Sequence, residues 1–85
     1  MKFTPEHEQV LVKAAKWIKA HRELYCPTTA VKGIPKYRKL LDELHSMGLV
    51  ERYKKGEVVK ISRLGWDYLN ETHPELTCRG RILKI

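Results

Sequence analysis

The sequence predicts a small α+β domain that is mainly helical and carries one β-hairpin. Three observations carry that expectation. Apolar residues recur at spacings of three and four over Val10–His21 and again over Tyr37–Leu44. Between Leu49 and Ile61 the pattern changes to two short β-prone runs around Lys54-Lys55-Gly56-Glu57. Gly48 and Ser62 stand where one helix should stop and the next should start.

Thr4 and Pro5 predict the first helix start: a hydroxyl N-cap, then a proline whose missing N–H has no helical partner to lose. Glu6 and Glu8 fall in the first turn, where the helix dipole favours anions. Val10, Leu11, Ala14, Trp17, Ile18 and His21 form its apolar side, Lys13, Lys16 and Lys19 the other, and it should end near Arg22. Trp17 on that stripe reads as a core residue rather than a base-stacking platform.

Tyr25-Cys26-Pro27 breaks the helical pattern, and Pro27 holds Cys26 extended. Thr28 or Thr29 should cap a short second helix through Val31, ended by Gly33. Pro35 should sit in the first turn of a third helix with Tyr37, Leu40, Leu41 and Leu44 as its stripe, Met47 at its edge and Gly48 as its stop. The strands are Leu49–Tyr53 and Val58–Ile61, and Gly56 supplies the positive φ of the hairpin loop. Ser62 should cap a fourth helix from Arg63 to about Asn70, with Pro74 ending any continuation. Thr77–Ile85 reads equally as a late strand or a flexible basic arm.

At 85 residues the chain is one domain, and its 42% hydrophobic content suffices for a packed core. So short a chain has little room for a core and an enzyme cleft together, so a binding module is expected and not an enzyme. A net charge of +7 points to a polyanion: DNA, RNA or an acidic membrane surface. No stretch approaches the roughly 18 apolar residues of a membrane span, and MKFTPEHEQ lacks the apolar core of a signal peptide. A cytoplasmic or nucleoid-associated location is therefore expected. Cys26 and Cys78 are too few for a disulfide framework and read as free thiols, with one bridge to the C-terminal arm as the alternative.

Leu44-His45-Ser46-Met47-Gly48-Leu49-Val50-Glu51-Arg52 is similar to the L-x-x-x-G-L-V/I junction that joins recognition helix to wing in winged helix-turn-helix proteins. Ile61-Ser62-Arg63-Leu64-Gly65-Trp66-Asp67-Tyr68-Leu69 is similar to their L-T-x-x-G-x-x-x-L junction from wing to last helix, and Phe3-Thr4-Pro5-Glu6 to the start of their first helix. Over residues 3–71 the chain thus resembles this family, as in MarR-type and PadR-type regulators. The resemblance implies three helices, a two-stranded wing, a C-terminal helix and an arm, divided as a domain at 1–71 and an arm at 72–85. It implies close packing at Gly65, expected against the first helix. The chain departs from the family between Thr28 and Gly33, which must replace a full helix and turn, and at Ile34 and Pro35, where polar residues are usual.

Opposite its apolar stripe the third helix presents Arg38, Lys39, Asp42 and Ser46, with Lys36 and Glu43 at the margin. Lys32, Lys36, Arg38 and Lys39 lie at or before its N-terminal half, the half that recognition helices insert into the major groove. The hairpin adds Arg52, Lys54, Lys55 and Lys60 for phosphates or the minor groove, diluted by Glu51 and Glu57. A solvated helix face and lysines that protect an edge strand are the plain alternatives. Two His-x4-Cys pairs, His21 with Cys26 and His73 with Cys78, have no known zinc spacing, so no metal or other cofactor is expected. There is no Gly-rich phosphate loop and no Ser-His-Asp order.

The function expected is sequence-specific binding of double-stranded DNA by a transcription regulator. A homodimer is expected through Trp66, Tyr68, Leu69, Ile82 and Leu83, because neighbours on a short helix cannot all face one core. The alternatives are a winged helix of viral or plasmid kind that docks on a polymerase or another protein of the transcription or replication machinery, and a binder of double-stranded RNA or of nucleic acid in general.

Overall fold

The structure is a computed structural model and describes residues 2–77. The first helix, α1, runs Pro5–His21 and starts as the sequence predicts, with Thr4 as N-cap. The cap is a reciprocal box. The Thr4 hydroxyl accepts from the His7 N–H at 3.4 Å, and His7 Nδ1 accepts from the Thr4 N–H at 2.9 Å. Since Nδ1 accepts, the imidazole proton lies on Nε2, which donates to Glu43 Oε1 at 2.6 Å. His7 is buried, with Phe3 stacked over its ring. α1 buries Val10, Leu11, Ala14, Ala15 and Ile18, and Trp17 packs partly on that core. His21 is not on the buried side. It is exposed, stacked on the Trp17 ring with centroids 4.0 Å apart.

After the left-handed C-cap at Arg22, Cys26–Pro27 forms a two-residue strand, β1, where only a break in the helix was expected. Thr28–Val31 is a single 3-10 turn with no side-chain cap, so neither threonine caps it, and Val31 is buried. The next helix, α2, spans Tyr37–Ser46, not Pro35 onward. Pro35 stays outside because Lys36, the N-cap, takes a left-handed conformation with φ 60°. Leu40, Leu41 and Leu44 are its buried stripe, as predicted.

Gly48, at φ +80°, reverses the chain from α2 into β2 (Val50–Tyr53). β3 (Val58–Ile61) returns antiparallel, with Val50 opposite Ile61, Arg52 opposite Val59 and Tyr53 opposite Val58. β1 pairs with the other edge of β3, giving a three-stranded antiparallel sheet of order β1-β3-β2 in place of a two-stranded hairpin. Val50, Val59, Ile61 and Cys26 are buried on the face toward the helices. Alternation puts Glu51, Tyr53, Val58 and Lys60 on the open face.

Ser62 caps α3 (Arg63–Thr72) by accepting from the Gly65 N–H at 3.1 Å. α3 runs past Asn70, and Pro74 opens a further helical turn, α4 (Pro74–Thr77), instead of only ending a helix. Leu76 is buried against the core and Lys19 Nζ donates to the Glu75 carbonyl. His73 Nε2 pairs with Glu8 Oε2 at 2.7 Å and fastens this end to α1. Of the expected strand or arm at Thr77–Ile85, Thr77 ends α4 and residues 78–85, with Cys78, Ile82 and Leu83, lie outside the described residues. The described residues form a small α+β domain, with α1 touching α2, β1, β3 and α4.

Gly65 does make a close approach, but to the start of β2 rather than to the first helix. A Cβ there would lie 2.3 Å from the Leu49 carbonyl oxygen and 2.8 Å from Ile61 Cγ2. Gly65→Ala should therefore lower stability by on the order of 1–3 kcal/mol. In urea unfolding the midpoint should fall at unchanged slope, and an unshifted midpoint would refute the contact.

Burial pushes the Cys26 thiol up from 9.0 to about 11. The folded chain thus keeps this proton where the unfolded chain loses it. Its contribution to stability is complete below about pH 9 and fades as pH rises toward 11. The stability difference between the wild type and Cys26→Ala should shrink across that window. A difference independent of pH would contradict the burial effect.

Candidate nucleic-acid interface

The cationic residues singled out in the sequence do not form one surface. Arg38 and Lys39 are exposed in the first turn of α2, and Lys32 and Lys36 are exposed on the connection leading into it. No acid lies in that first turn and no side chain caps its N–H groups, so the N-terminal end of α2 is electropositive in both side chains and backbone. Arg38 Nε donates to the Tyr37 hydroxyl at 3.3 Å, and its guanidinium lies 5.8 Å from the Tyr37 ring centroid. That hydrogen bond, then the phenol's charge, holds Arg38 above its ordinary pKa.

Across from α2, Lys54, Lys55 and Gly56 form the hairpin tip with three successive positive φ angles of 54°, 58° and 89°. Between helix and tip lies an open cleft of about 420 Å³ lined by Arg38, Asp42, His45, Arg52, Lys55 and Gly56. Arg38, Arg52 and Lys55 face a single carboxylate there, Asp42. The lining of the groove is net positive.

Arg52 has a different place from the other cations. It shares the core-side face of β2 with Val50, under α2. Its Nη1 pairs with Asp42 on α2 and its Nη2 donates to the Gly56 carbonyl at 2.9 Å. The guanidinium ties α2, β2 and the hairpin turn together. Gly56 leaves room for it, since a Cβ there would lie 2.8 Å from Arg52 Nη2.

Lys60 is not part of the cleft. It points from β3 to the open face of the sheet, directly opposite Glu51. Among the expected interface residues on α3, Leu69 is fully buried in the chain's own core, and Trp66 and Tyr68 pack partly against it. The Tyr68 and Phe3 rings meet edge to face with centroids 5.1 Å apart. Helix geometry separates neighbouring side chains, as the sequence implied, and α3 packs against α4 and β3. His45 in the cleft was missed by sequence reasoning. Its position one residue past Leu44 marks it as a boundary residue of the stripe, and no stronger signal points to it.

Among the described residues no cluster of three His, Cys, Asp or Glu side chains could hold a metal ion. His21 Nδ1 lies 2.9 Å from the Trp17 carbonyl, and Cys26 is buried with its thiol donating to the Pro27 carbonyl. No helix among the described residues is long and apolar enough to cross a membrane. No family model, curated protein or solved structure matches the chain.

Arg52→Ala removes the tie between α2 and the hairpin. A charged hydrogen bond to Gly56 is lost along with a partly screened ion pair, so stability should fall by about 1–2 kcal/mol. Asp42→Ala should cost much less, because Asp42 is largely exposed. Equal effects of the two substitutions would show that the brace rests on the ion pair and not on the bond to the turn.

Proposed function

We propose that the chain is a winged helix-turn-helix protein that binds double-stranded DNA, with α2 as the recognition helix and the β2–β3 hairpin as the wing. The observation that carries this reading is the cationic cleft between α2 and the hairpin tip, with Arg38 on one wall and Lys55 on the other. Arg38 and Lys39, on the exposed side of α2, reach base edges in the major groove. Lys54 and Lys55 meet the backbone. The uncapped N-terminus of α2 adds N–H groups that a phosphate satisfies. A transcription regulator of this size works as a homodimer, since one module touches few base pairs.

The short 3-10 turn before α2 favours a second reading, in which the same surface docks on a protein of the transcription or replication machinery. Salt separates the two, because phosphate contacts weaken steeply with ionic strength and an apolar interface does not.

The test is a titration of operator-like and random duplexes at two salt concentrations. Arg38→Ala and Lys39→Ala should each weaken specific binding by about 1–3 kcal/mol and relax preference at one position. Lys54→Ala with Lys55→Ala should weaken all duplexes alike and flatten the salt slope by up to about two units. Duplex binding with no salt dependence, or none at all, overturns the reading. Sedimentation above the DNA dissociation constant decides the dimer: a monomer there removes it.

A further inference from the structure

The open face of the sheet is not the polar surface expected of a solvated one. Tyr53 and Val58 are a cross-strand pair on it, and Tyr25, just before β1, reaches over from the opposite edge. Tyr25 and Tyr53 are 45% and 40% exposed. Their rings meet edge to face, with centroids 5.6 Å apart and planes at 83°. With Val58 and Lys54 they line an open cavity of about 440 Å³. Two rings at right angles make a corner in which one ring offers its face and the other a wall. The cations beside it are uncommitted: Lys54 and Lys60 form no ion pair among the described residues. Glu51, across the ladder from Lys60, accepts from the Tyr53 hydroxyl.

We propose that this face binds single-stranded nucleic acid, with one unpaired base stacked in the Tyr25–Tyr53 corner and Lys54 and Lys60 taking the flanking phosphates. Aromatic faces bind bases of any identity, and lysines beside them neutralise the backbone between bases. A second copy of the chain fits less well, because it would bring the same lysines against these. The site goes beyond duplex binding and lies on the other face of the sheet from the cleft.

The test is fluorescence anisotropy with a thymidine oligomer of about twelve nucleotides, an abasic oligomer of the same length and charge, and a random duplex. The thymidine oligomer should bind about tenfold more tightly than the abasic one. Tyr25→Ala and Tyr53→Ala should each remove most of that margin, while Tyr25→Phe and Tyr53→Phe keep it. Tyr25→Leu and Tyr53→Leu retain apolar bulk without an aromatic face and should behave as the alanine variants do, with native circular dichroism confirming the fold. Duplex affinity should be unchanged in Tyr25→Ala. Absent duplex binding with a preserved base-dependent margin would sink the duplex reading and leave this one standing. Equal binding of thymidine and abasic oligomers, unaffected leucine variants, or a Tyr25-dependent self-association in sedimentation would each overturn the proposal.

Discussion

Four elements of the domain are held by one knot of backbone around Leu49. The Leu49 N–H donates to the Leu44 carbonyl, and the Leu49 carbonyl accepts from the Ser62 N–H at 3.1 Å. Ser62 Oγ donates to the Gly48 carbonyl at 2.6 Å while accepting from Gly65. The end of α2, the start of β2, the end of β3 and the start of α3 therefore meet at a single point. Gly48 is needed there because the reversal requires φ +80°, and Gly65 because its Cα sits against the Leu49 carbonyl. With these bonds made, the direction of α2 relative to the hairpin is fixed at one end. Every buried side chain on α2, from Leu40 to Leu44, is then delivered to α1 and β2 in one register.

Side-chain hydrogen bonds hold that angle as well. His7, in its neutral form with Nε2–H, links the cap of α1 to Glu43 on α2. Arg52 links Asp42 on α2 to Gly56 at the hairpin tip. The two carboxylates are neighbours in sequence but point to different partners, so α2 is tied on both sides. On the proposed duplex reading, such preset geometry would leave little conformational freedom to be lost on binding. The same brace lowers the charge offered to a ligand, since Arg52 arrives already paired. Arg38, Lys39 and Lys55 are left as the free cations on the two walls and beside them.

Much of the fold was legible because its signals are local. Thr4-Pro5, Gly48, Gly56 and Ser62 each mark a boundary through the conformation or hydrogen bond that the residue itself supplies, and each stands where predicted. The leucine stripe of α2 is legible for the same reason. What escaped depends on distant partners. Cys26–Pro27 is too short to carry a strand pattern, and only the free edge of β3 makes it one. Lys36 gives no sign that it adopts a left-handed conformation, so the start of α2 was placed too early. His7 carries no local sign of its burial, because the Glu43 that stabilises it is 36 positions away. The site was legible in its cations and not in their facing. Alternation put Lys60 behind the sheet and Arg52 beneath α2 only once the register was known.

The hairpin tip joins the two surfaces of the sheet. Tyr53 lies on the open face, and two residues later Lys55 lines the cleft on the other side. Between them the chain passes through left-handed conformations at two lysines, at a cost on the order of 1 kcal/mol each. Bonds from Gly56 to the Tyr53 carbonyl, from Glu57 to the Lys54 carbonyl and from Thr28 to the Glu57 carbonyl offset that strain. A less strained turn was within reach of asparagine or glycine at both positions. Lysine in their place trades local stability for charge at the point nearest both faces. On the two proposed readings, duplex and single-strand contacts would therefore bear on the same few bonds of this turn.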